Sequence, residues 1–146
     1  MIKNLCYIFA ILLSACANSD MKKSASVDDI CGVVESVINL GQLQQYYHVD
    51  TFPERVPLNI KVHLPESISM RDCTILEKFG QPVIITSDKK PPKASGAMGM
   101  IFRINDLEEG SMFVNFSYMP EGIKGEVKLL NIESLWTIKE SKIIEI

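Results

Sequence analysis

The sequence predicts an α+β domain in which an N-terminal helix packs on a mostly antiparallel sheet meander. Three patterns carry that prediction. Val27, Ile30, Cys31, Val34, Val37 and Ile38 fall on one face at helical spacing. Leu58 to Leu64 alternates at the strand period, with Leu58, Ile60, Val62 and Leu64 set against Asn59, Lys61 and His63. From residue 98 onward, strand-like runs follow one another across Gly-, Asn- and Pro-bearing turns. A helix beside such a meander covers one face of the sheet.

Taken in order, the chain begins with Lys3, an apolar run from Leu5 to Leu13, and then Leu13-Ser14-Ala15-Cys16. The run is short of the roughly 20 residues that a membrane-spanning helix needs, and its layout is that of an export signal. Leu13 to Cys16 resembles the bacterial lipobox, with each position filled by a favoured residue type. The resemblance implies cleavage before Cys16, a diacylglycerol on its sulfur and a membrane-anchored, exported protein of the cell envelope. In a host with two membranes it implies the outer membrane, facing the periplasm, because Ala17 and not Asp follows the cysteine. Two or more acyl chains make such anchoring durable where one does not.

On this reading residues 1–15 are signal, 16–25 a lipidated tether and 26–146 a single globular domain. The tether, rich in small and charged residues, has a root-mean-square reach of about 15–20 Å as a coil. Ser26-x-x-Asp29 has the form of a capping box that opens the helix, and Gly41 is its expected stop. Residues 42–57 read as an irregular connection. Cys73 to Glu77 and Pro82 to Thr86 read as strands about a turn containing Gly80, and 87–97 as a loop. Met98 to Ile104, Met112 to Tyr118, Gly125 to Ile132 and Leu135 to Lys139 read as strands, with a final one over 141–146. The element order, with Val127-x-Leu129 and Trp136-x-Ile138 near the close, is similar to the nuclear transport factor 2-like and cystatin-like groups of folds. That resemblance implies a curved sheet with a pocket on its concave side.

Composition narrows function. With Lys3 removed, 14 basic side chains stand against 18 acidic ones, and a mildly acidic chain of mixed signs has no electrostatic footprint for nucleic acid. Once Cys6 leaves with the signal and Cys16 carries lipid, Cys31 and Cys73 remain. An oxidising compartment favours pairing them. Closing a loop of about 42 residues removes denatured-state entropy worth about 4 kcal/mol. Neither cysteine has a CxxC partner or a nearby histidine, which weighs against a redox or metal pair.

The chain carries no GxSxG elbow, P-loop, HExxH, EF-hand loop or dinucleotide fingerprint, and no cofactor or metal is expected. His48 and His63 are the only histidines; either would need a carboxylate within reach to act as acid or base. Met98, Met100, Met112 and Met119 suggest a soft copper(I) site, but Met98, Met100, Phe102 and Ile104 share one strand face, as core residues do. Gly96-x-x-Gly99 runs into a strand rather than a helix, unlike a phosphate loop, and Gly99 there relieves crowding or marks a bulge. Lys89, Lys90 and Lys93 on a proline-stiffened loop are the candidate partner-binding residues, opposite in sign to the domain. The expected function is a lipid-anchored envelope accessory protein, inhibitor- or immunity-like, that binds a protein or envelope polymer. The alternative is a small-ligand-binding or hydrolytic domain using the pocket in the sheet.

Overall fold

The computed structural model describes residues 27–68, 70, 73, 76–88, 99–108 and 110–146. The first helix, α1 (Val27–Ile38), is followed by a single helical turn, α2 (Gly41–Gln44), and a 3-10 turn at Pro53–Arg55. The strands are β1 (Asn59–His63), β2 (Glu77–Lys78), β3 (Gln81–Pro82), β4 (Ile84–Ser87), β5 (Met100–Glu108), β6 (Ser111–Tyr118), β7 (Ile123–Ile132) and β8 (Leu135–Glu145). Six of them form one sheet in the order β4-β1-β5-β6-β7-β8, and β2 and β3 form a separate hairpin. The fold is α+β with a mostly antiparallel sheet, as the sequence predicts.

Alternation explains the long strands. Along β6, Met112, Val114, Phe116 and Tyr118 are buried while Phe113, Asn115 and Ser117 lie partly open on the other face. Met100, Phe102 and Ile104 of β5 and Ile123, Val127 and Leu129 of β7 extend the buried layer. Phe116 stands opposite Gly125, and any Cβ at Gly125 would fall on its ring. Helix α1 closes this layer with Ile30, Val33, Val34, Val37 and Ile38. It lies against β8, where Gly32 permits close approach to Trp136 and the Ser36 hydroxyl reaches the Trp136 carbonyl at 3.2 Å. Met100 and Met112 are core residues.

Four details differ from expectation. First, β1 pairs in parallel with both β4 and β5: alternation fixes which side chains face inward but says nothing of strand direction. Second, Leu135 to Lys139 and the segment after it are one strand, β8, whose register against β7 shifts between Lys128 and Leu129. An extra residue absorbed there keeps both halves facing the core. Third, Gly41 opens α2. The carbonyl that closes α1, Ile38 O, accepts instead from the Gln44 amide and the Tyr47 hydroxyl. Fourth, Cys73 is not in a strand. The β2–β3 hairpin pairs two residues on each side, and beyond it the Val83 amide still donates to Leu76 O at 2.8 Å.

Candidate functional site

Cys31 and Cys73 are joined, with Cα atoms 5.6 Å apart. Cys31 sits half-buried at the rim of the apolar face of α1, so the bridge fastens the helix to the connection leading into β2. Cys16, Lys89, Lys90, Lys93, Gly96 and Met98 lie outside the described residues.

The two histidines are far from equivalent. His48 is exposed, with a left-handed backbone at φ 47°. His63 points from β1 to the outer face of the sheet, where its Nδ1 lies 2.5 Å from Asp88 Oδ2 and Lys61 Nζ lies 3.1 Å from Asp88 Oδ1. The Lys61 ammonium, assisted by His63 and opposed by partial desolvation, holds the Asp88 carboxyl below its usual range. This is an open surface ion pair beside strands β4 and β1. The buried space between helix and sheet lies on the opposite face and is filled by apolar side chains. Among the described residues no three His, Cys, Asp or Glu side chains come together as a metal site. Gly99 relieves crowding as expected, since a Cβ there would lie 3.1 Å from Asn59 O.

A second cluster forms where α1 ends, and most of its members fall in segments whose sequence reads only as connection. Tyr47 is its hub. Its ring packs edge-on against Phe79 at 5.0 Å and Tyr118 at 5.4 Å between centroids. Burial pushes its hydroxyl far above the ordinary phenol range. Lys78 Nζ lies 5.2 Å from the Tyr47 ring and 5.0 Å from the Phe79 ring, and donates to Asn39 Oδ1 at 2.8 Å and Gln44 Oε1 at 2.7 Å. Partial burial pulls its ammonium below the usual lysine value. Arg55 stacks 4.2 Å from the centroid of the Phe52 ring, donates to Tyr47 O at 3.1 Å and pairs with Glu121 at 2.5 Å. Burial raises the Tyr118 phenol while the neighbouring Arg55 pulls it down. That hydroxyl has no hydrogen-bond partner among the described residues.

Among the described residues, both cations of this cluster are thus engaged within it, and three of its apolar side chains stay open to solvent. Phe52 is 39% exposed, Phe79 38% and Met119 57%. Phe79 is the unusual member. With Gly80 it makes the two-residue turn between β2 and β3, at φ 57° against 71° for the glycine. Asn or Asp ordinarily precedes the glycine of such a turn, and a bulky side chain with a left-handed backbone is an outlier. The Phe-Gly dipeptide between two short apolar runs was the available sequence signal. The chain matches no family model, no curated protein and no solved structure.

Proposed function

We propose that this protein is a lipid-anchored accessory protein of the bacterial envelope, held through Cys16, that binds a partner with the aromatic end formed by Phe52, Phe79 and Met119. The observation that carries this reading is Phe79. A large aromatic ring is kept half-exposed at a backbone conformation that costs on the order of 1–3 kcal/mol and that persists where the surroundings enforce it, often at functional positions. Exposed aromatic and methionine side chains flanked by arginine match the composition of protein interfaces. Phenylalanine and methionine offer broad apolar contact, which suits a protein partner.

The tether leads into Val27, and the aromatic end lies at the other end of α1, where Lys78, Gln44 and Tyr47 gather around residues 38–39. Twelve helical residues span about 18 Å, so the aromatic end is set apart from the point where the described chain begins. The alternative, a ligand-binding or hydrolytic pocket, has the His63–Asp88 contact to draw on, but that pair sits on the face away from the core.

The test is crosslinking in intact cells with a photoreactive residue at Phe52, at Met119, or at Lys128 on the outer face. One discrete adduct from both 52 and 119, absent from 128, is expected. The same adducts from all three positions, or none from any, would overturn the reading. Metabolic labelling with an alkynyl fatty acid tests the anchor separately: label should enter the protein and vanish in Cys16→Ala.

A further inference from the structure

The partner's charge follows from how the aromatic end uses its own. Among the described residues, Lys78 and Arg55 are the cations there, and both are engaged inward: Lys78 by Asn39, Gln44 and two rings, Arg55 by Glu121, Tyr47 O and Phe52. The carboxylates are disposed differently. Asp50 precedes Phe52 by two residues, Glu54 lies in the 3-10 turn that follows it, and Glu77 lies in β2 two residues before Phe79. All three are exposed, and none makes an ion pair among the described residues. Among the described residues, exposed carboxylates therefore flank Phe52 and precede Phe79 along the chain, while the two cations of the cluster are engaged by other side chains.

We propose that the occupant of this surface is a basic, apolar segment of a protein, with aliphatic or aromatic side chains against Phe79, Phe52 and Met119, and Lys or Arg beside Glu77, Glu54 and Asp50. The proposal rests on the partner-binding reading above and names the chemistry of that partner. Apolar contact at the centre supplies most of the affinity, because desolvated anchors dominate interfaces. The carboxylates select the sign and speed encounter, and so respond to salt. Phe79 contributes as an anchor held before the partner arrives: its turn fixes the ring against Tyr47, which removes ordering cost on binding.

The experiment uses the lipidated full chain in nanodiscs of zwitterionic phosphatidylcholine, with empty discs as the blank. The probe is a fluorescein-labelled octapeptide alternating Lys with Leu or Phe, compared with its twin bearing Glu for Lys. The expected result is binding of the Lys probe at least tenfold tighter than its twin, weakened several-fold between low and physiological salt. Phe79→Asn supplies the residue this turn prefers, so it should keep the thermal transition and lose at least tenfold in affinity. Glu54→Lys and Glu77→Lys, at exposed positions where folding is indifferent to sign, should each lose several-fold and keep the proposal testable if the Phe79 variant misfolds. Equal binding of the two probes, undiminished binding by the charge reversals, or concentration-dependent self-association that buries Phe79 and excludes the probe would each overturn the proposal. Adducts at 52 and 119 without preference for the Lys probe would remove the charge assignment alone and leave the partner-binding reading standing.

Discussion

Residues 100–145 and residues 41–88 build their stability by different means. The first region is four long strands, each hydrogen-bonded along its length to the next, with inward side chains alternating along each strand except at the register shifts near Glu108 and Leu129. The second has two strands in the large sheet, of five and four residues, and a hairpin of two residues on each side. What it lacks in ladder it replaces with particular contacts: the Cys31–Cys73 bridge, the Tyr47 hub, the Arg55–Glu121 pair and the Lys78 amide contacts. A ladder tolerates change at any one position on its solvent face, whereas a region held by single contacts is sensitive at each of them. The candidate site lies in the second region and borrows only Tyr118, Met119 and Glu121 from the first.

The largest effect should come from the core of the first region. Phe102 is fully buried beside Phe116, and Phe102→Ala should cost about 3–5 kcal/mol by loss of transfer energy and creation of a cavity. Denaturant unfolding should show one cooperative transition shifted as a whole. A variant that unfolds the strands from 100 to 145 and leaves residues 41–88 protected from hydrogen exchange would break the comparison.

Opening the bridge should come next and act the other way round. Cys31→Ser with Cys73→Ser removes a cross-link spanning 42 residues, worth about 4 kcal/mol in the chain-entropy model and commonly 2–4 in practice. Amide exchange should rise first in residues 41–88, while β5 to β8 keep their protection. Uniform loss across both regions would mean that they fold as a single unit.

Phe79→Asn sharpens the contrast inside the second region. The change relieves a left-handed backbone worth about 1–2 kcal/mol and gives up an edge-on ring contact worth about 0.5–1.5 kcal/mol. Stability should stay within about 1 kcal/mol of the parent, measured by urea midpoint. A loss of 3 kcal/mol or more would make Phe79 a structural residue and remove the strain argument from the proposed function.

The same contrast explains what the sequence reveals. The helix face, the inward set of β5 to β8 and the pairing of two cysteines follow from periodicity and arithmetic, because each is repeated or has few alternatives. Strand direction is silent in such patterns, so the parallel pairing of β1 is not readable. The aromatic end is assembled from Phe52, Arg55, Lys78 and Phe79, which lie in segments without periodicity, and from Tyr118 and Glu121, which lie 39 residues or more beyond them. Only the fold brings these together. The basic loop drew attention in the sequence because like charges are adjacent there. Asp50, Glu54 and Glu77 did not, because they are scattered.

The smallest effect concerns Asp88, which belongs to neither the ladder nor the aromatic end. Its carboxyl is held below the ordinary range chiefly by the Lys61 ammonium and then by His63. A carboxyl whose folded value is depressed contributes its full stabilisation above the unfolded value, about 4, and loses it as pH falls through the lower folded value. Asp88→Asn removes that contribution. The urea midpoints of parent and variant should differ by a small amount above about pH 5, with the parent the more stable. They should converge as the pH falls below about 4, and added salt should shrink the gap at neutral pH because the pair is exposed to solvent. A gap that persists at pH 2, or that salt leaves unchanged, would show that Asp88 acts through packing. Its contact with His63 would then be a fixed part of the β1 surface, held by shape rather than by charge.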